Sequence, residues 1–136
     1  MGLRIDFGPA VDSPSHTVLV VDDDAAIRFL CRVNLELDGW AVHEAHAIEL
    51  ARKTLATTPV DIVLLDVHVG VESGLDFIAE LRERHPEVPV VLLTGSVGSP
   101  GLEGVDADAV ISKPFTLDQL TGTLGRLVLR AAPEAR

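Results

Sequence analysis

A single cysteine, Cys31, stands in the 136-residue chain. That excludes an internal disulfide and any metal site built from several thiolates, and its place in an apolar helical stretch reads as a small core residue. Basic residues are also scarce: 11 Lys and Arg against 21 Asp and Glu leave a formal net charge of -10. The field of such a chain repels phosphate backbones and anionic lipid, so neither direct nucleic-acid binding nor membrane association is expected. No uninterrupted apolar run approaches the ~18 residues of a membrane-spanning helix. The opening MGLRIDFGPAVDSPSH has no apolar stretch of signal-peptide type, and a soluble, cytoplasmic protein is expected. The histidines His16, His43, His46, His68 and His85 share no metal-ligand spacing.

What is present is a globular composition, 47% hydrophobic and 24% charged, at the length of one ordinary domain. Residues 1–15, with Gly8, Pro9, Ser13, Pro14 and Ser15, read as a loose leader, residues 16–130 as the domain, and 131–136 as a tail. From Thr17 the run TVLVVD has the β-branched character of a strand buried on both faces. Helical spacing of Ile27, Leu30, Cys31, Asn34, Leu35 and Leu37 predicts a helix over about 25–38, stopped at Asp38-Gly39. A strand near Trp40 to Ala45, a helix near Ala47 to Thr57 and the strand IVLLD ending at Asp66 follow. Leu75, Ile78, Ala79 and Leu81 mark a third helix closed by Pro86, and VPVVLLT is another apolar strand. The segment Gly95 to Asp108 carries four glycines and a proline, so a helix there is short or irregular. A strand at Ala109 to Ser112 and a helix from Thr116 to about Leu129 complete the chain. Five strands alternating with helices imply a mostly parallel sheet covered on both faces.

Ligands of such sheets sit at the carboxyl ends of the strands. Asp22, Asp23 and Asp24 end the first apolar strand and Asp66 ends another, so these acids meet at one edge. Carboxylates that close raise one another's proton affinity or call for a hard cation, which suits Mg²⁺ or Mn²⁺. Thr94 ends VPVVLLT and Lys113 follows the strand ending at Ser112, adding a hydroxyl and a compact ammonium. Together they make a phosphoryl-transfer site, where catalysis is mostly positioning and charge neutralisation. Taken singly, Asp22–Asp24 fit a helix cap and Thr94 and Lys113 fit ordinary strand and surface positions. Their shared place at strand ends singles them out.

In this order, VLVVDDDAAIR, IVLLD, VVLLTG and SKPF resemble the receiver domains of bacterial response regulators, over about residues 17–130. The resemblance implies a flavodoxin-like, doubly wound sheet of order 2-1-3-4-5 with five helices. It implies Asp66 as phosphoacceptor and Mg²⁺ held by Asp23, Asp66 and the backbone carbonyl of His68, with Asp22 acting through water. Arg28, five residues after Asp23, fixes that alignment and leaves Asp24 as an extra acid. Thr94 matches the switch hydroxyl, Lys113 the lysine that contacts the phosphoryl group, and Gly95 the small residue that keeps the site open. The bond before Pro114 is expected to be cis. The implied phosphodonor is a sensor histidine kinase or a histidine phosphotransfer protein, and the chain catalyses only its own phosphorylation and dephosphorylation. The short stretch after the last helix is expected to leave no room for a DNA-binding effector, unless AAPEAR begins a linker in a longer protein. Output is therefore expected through contact with a downstream protein of unknown identity, and a homodimer is compatible with it.

Three departures from the family stand out. VHVGVESG replaces the usual motif after the acceptor, and a flexible loop is expected there, with the His68 side chain bordering the pocket. Val110 occupies the position of the usual aromatic switch, and the chain has no tyrosine. The fourth helix of the family pattern is expected to be reduced or reshaped. Two other functions compete. An Asp-nucleophile phosphatase or phosphotransferase usually places a second Asp two residues after the nucleophile, where this chain has His68. A receiver-derived interaction module has no need of an intact Asp23, Asp66, Thr94 and Lys113.

Overall fold

The computed structural model describes residues 16–95 and 105–131. In chain order the elements are β1 (His16–Val21), α1 (Ala25–Leu37), β2 (Trp40–Ala45), α2 (Ile48–Thr57) and β3 (Ile62–Asp66). Then come two short strands, β4 (His68–Val69) and β5 (Glu72–Ser73), followed by α3 (Gly74–Arg84), β6 (Val90–Thr94), β7 (Ala109–Ser112) and α4 (Leu117–Ala131). The main sheet has five strands, ordered β2-β1-β3-β6-β7, and every neighbouring pair is parallel. With the short pair β4-β5 set aside, this is the expected 2-1-3-4-5 order of a flavodoxin-like sheet.

The period of two along a strand sorts the core into two layers. Val18, Val20, Ile62, Leu64, Val91 and Leu93 face one side, packed with Cys31 and Leu35 of α1 and Leu120, Leu124, Leu127 and Val128 of α4. Leu19, Val21, Val63, Leu65, Val90 and Leu92 face the other, with Ile48 and Ala51 of α2 and Phe77, Ile78 and Leu81 of α3. Because both faces are covered, these strands carry apolar residues continuously, and β6 is buried throughout.

α1 spans Ala25–Leu37, close to the helix expected over about 25–38. Cys31 and Leu35 are buried, whereas Leu30 and Leu37 are exposed, because the helix carries two apolar faces and only one meets the sheet. The loop after Asp66, expected to be flexible, is closed as a small hairpin in which β4 pairs antiparallel with β5. Gly70 supplies the φ of 65° that its two-residue turn requires. The reduced fourth helix was expected between Gly95 and Asp108. Residues 96–104 lie outside the described residues, as do the leader 1–15 and residues 132–136, and residues 105–107 belong to no helix. The chain re-enters the fold through Arg82, whose guanidinium donates to the Asp106 carbonyl at 2.7 Å and to the Asp108 carboxylate at 2.8 Å. Among the described residues no helix is long and apolar enough to cross a membrane.

Candidate functional site at the sheet edge

Register brings the chemistry together. Val21 pairs with Leu65, so Asp22 and Asp66 leave neighbouring strands at the same level. Asp66 lies opposite Leu93, and Thr94 lies opposite Ser112, which places Lys113 one step beyond. The backbone ladder runs on past the strand ends: Lys113 N–H donates to the Thr94 carbonyl at 2.7 Å and Val67 N–H to that of Leu93 at 3.1 Å. The strand order reverses between β1 and β3, so the acids sit at the switch point where open α/β sheets bind ligands.

The three consecutive acids have different surroundings. Asp24 is the N-cap of α1, and its Oδ1 accepts from Ala26 N–H at 2.9 Å and Ile27 N–H at 3.4 Å. Replacing it with alanine should cost about 1 kcal/mol in urea unfolding, the usual loss of an N-cap. Asp22 is fully buried; its Oδ1 accepts from Asp24 N–H at 2.9 Å and its carbonyl from Arg28 Nη1 at 2.7 Å. Arg28 is held in turn by Glu44 at 3.0 Å. Arg28 served only as an alignment marker in the sequence, yet it braces the acidic loop. Asp23 is exposed.

Carboxylate oxygens of Asp22, Asp23 and Asp66 all lie within 4.8 Å of one another. Hard oxygen donors so close fit a divalent cation of the Mg²⁺ class. Lys113 Nζ lies 3.3 Å from Asp22 Oδ2 and 3.5 Å from Asp66 Oδ1. Burial, reinforced by the negative charge of Asp22, pushes the Asp66 carboxyl up to about 6, and Lys113 only partly offsets them. Partial burial draws Lys113 downward, but Asp22 and Asp66 together hold its proton more firmly than usual.

Thr94 is buried at the end of β6, and Gly95 beside it leaves open space where a Cβ would stand. The Lys113-Pro114 bond is cis, as expected. His68 is exposed on β4, and Val110 on β7 is 49% exposed. The sequence reading gave no role to Gly74. A Cβ there would overlap the Asp66 carbonyl oxygen and lie 3.1 Å from that of Val67, so α3 begins in direct contact with the end of β3. Only a glycine recurring at that distance after the aspartate could have signalled it.

A doubly wound parallel sheet with acids at its switch point and a cis Lys-Pro bond at a neighbouring strand end is a flavodoxin-like domain of the CheY-like kind. A family model of the response regulator receiver domain matches residues 18–124. The chain belongs to that family, the receiver domains of two-component signalling. It is 34% identical over 123 residues to the response regulator MprA of Mycobacterium bovis, covering 88% of this chain and 54% of that protein. It is 37% identical over 115 residues to the KDP operon transcriptional regulatory protein KdpE of Escherichia coli K12, covering 83% of this chain and 51% of that protein. The chain thus spans about half the length of these curated relatives. In fold it resembles the CheY-like receiver domain protein of Methanospirillum hungatei, with a TM-score of 0.79 at 22% identity over 85% of this chain and 95% of that one. The chemotaxis response regulator CheY4 of Vibrio cholerae gives a TM-score of 0.75 at 28% identity, over 82% and 98%.

Proposed function

We propose that this domain accepts a phosphoryl group on Asp66 from a phosphohistidine of a sensor histidine kinase or a histidine phosphotransfer protein, and signals by protein contact. The observation that carries the reading is the meeting of Asp22, Asp23 and Asp66 within 4.8 Å, with Lys113 reaching two of them. An Asp66 carboxylate oxygen attacks phosphorus, the bond to the donor imidazole nitrogen breaks, and an acyl phosphate forms on Asp66. Although its carboxyl is raised to about 6, Asp66 is ionised in neutral solution and remains a nucleophile. Mg²⁺, or Mn²⁺, would be held by Asp23, Asp66 and the His68 backbone carbonyl, with Asp22 acting through water. When bound, such an ion supplies charge neutralisation for the transferring oxygens. Lys113 ion-pairs with the phosphoryl group, and the Thr94 hydroxyl donates a hydrogen bond to it. Gly95 leaves that side open, and Pro114 directs the chain away after Lys113. Val110 presents no aromatic ring to follow Thr94, so the change passes through other contacts.

Incubation with acetyl phosphate and Mg²⁺, followed by intact mass measurement, tests the reading. A gain of one phosphoryl group that disappears in Asp66→Asn and on chelation of the metal is expected. Steady release of phosphate without a modified protein would favour a phosphatase, and no modification with any donor would favour an interaction module.

A further inference from the structure

α1 carries a second apolar face that nothing in the described chain covers. Phe29, Leu30, Val33 and Leu37 are 67%, 44%, 37% and 82% exposed, an unusual concentration of large side chains on one helix. At 3.6 residues per turn these four fall within an arc of about 100°, the width of a packing face, and Phe29 to Leu37 runs about 12 Å along the axis. The buried Cys31 and Leu35 lie on the other side, against the sheet.

The borders of this stripe indicate what covers it. One flank carries Arg32 and Glu36, paired with each other at 3.2 Å, and Arg32 also reaches Glu44 at 2.9 Å. The other flank carries Asn34, which donates to the Leu30 carbonyl at 2.8 Å and bears no charge. Two such helices laid antiparallel about a two-fold axis at Val33 would bring like flanks together. Arg32 then stands about 3 Å along the axis from both the partner's Glu36 and the partner's Arg32, and each Arg32 keeps its own Glu36 and Glu44 as counter-charges. The stripe is locally balanced on a chain of net charge -10. A surface complementary to itself under a two-fold is the requirement for an isologous contact.

We propose that a second copy of this chain packs on the α1 stripe, forming a symmetric antiparallel helix pair centred on Val33. Two stripes of this size bury on the order of 800 Å², below the range of stable dimers, so the pair is weak and depends on concentration. The excess acidity of the rest of the surface opposes it, and added salt strengthens it by screening that repulsion.

Sedimentation of the full chain from roughly 10 to 500 µM should show a rising weight-average mass, the range in which so small an interface is populated. Val33→Glu should raise the dissociation constant at least tenfold while leaving the thermal melt of the fold little changed, since Val33 is at the surface. As a second readout, Val33→Cys should cross-link to itself under mild oxidation, faster than a cysteine at Arg84. The native Cys31 is fully buried, its thiol pushed up by burial to about 12, and should stay unreacted. A chain that remains monomeric at the highest concentration overturns the proposal. So does a dimer that survives Val33→Glu, or cross-linking at position 33 no faster than at Arg84. If Val33→Glu impaired only phosphotransfer from a donor and the chain stayed monomeric, the stripe would belong to a different partner.

Discussion

Gly74→Ala should lower the stability of the domain by about 2–4 kcal/mol, a heavy cost for one methyl group. The added Cβ would overlap the Asp66 carbonyl oxygen and press on that of Val67, both of them backbone atoms. No side chain can rotate out of the way. Either α3 withdraws from β3 or the end of β3 bends, and the Gly74 N–H to Val67 carbonyl bond, 2.6 Å long, is strained or lost. The same substitution at Gly122, within α4, meets nothing within 4 Å. There it should stabilise by about 0.5–1 kcal/mol, because alanine is the better helix residue. Urea unfolding of both variants beside the parent is decisive: opposite signs are expected, and equal effects would remove the claim that α3 must touch the end of β3. Phosphoryl incorporation should fall in Gly74→Ala alone, since the end of β3 positions Asp66.

Asp66→Asn should make the unphosphorylated, metal-free domain more stable near pH 7.5. Burial and the charge of Asp22 raise the Asp66 carboxyl from 3.8 to about 6, so the folded state holds its proton more tightly than the unfolded chain does. A group raised in this way contributes stability that is complete below pH 3.8 and is lost as pH climbs through about 6. Two units correspond to roughly 3 kcal/mol, which partial solvent access reduces to about 1–2. The gain from Asn should therefore be largest above pH 7 and vanish near pH 4. Thermal melts across that range, in chelator, check it; a gain independent of pH would show that the carboxylate cluster is not strained. Mg²⁺ should narrow the difference at neutral pH by binding the parent more tightly than the variant.

Much of this was legible in the chain itself, for identifiable reasons. A strand buried on both faces has to be an uninterrupted apolar run, so TVLVV, IVLLD and VVLLT declared themselves, and Trp40–Ala45 and Ala109–Ser112 fell at their observed bounds. The topology rule for parallel sheets then carried Asp22, Asp66, Thr94 and Lys113 to one edge before any coordinates. The hairpin His68–Val69 with Glu72–Ser73 was missed because two-residue strands have no periodicity to read. The extent of α1 was legible too, but an apolar spacing does not say which face meets the sheet.

The sequence by itself determined the order of the elements, the parallel sheet and the residue types at its edge, because these follow from local periodicity and a handful of chain-reversal rules. Tertiary structure alone decided how the three consecutive acids divide: Asp24 caps α1, Asp22 is buried against Lys113, and Asp23 is exposed with its carboxylate within 4.8 Å of that of Asp66. It alone showed that Gly74 must lack a side chain and that Phe29, Leu30, Val33 and Leu37 are left uncovered. Both depend on distances between segments far apart in the chain or packed by register. Such distances arise only when strands have paired and helices have settled on them, and no pattern within one segment encodes them.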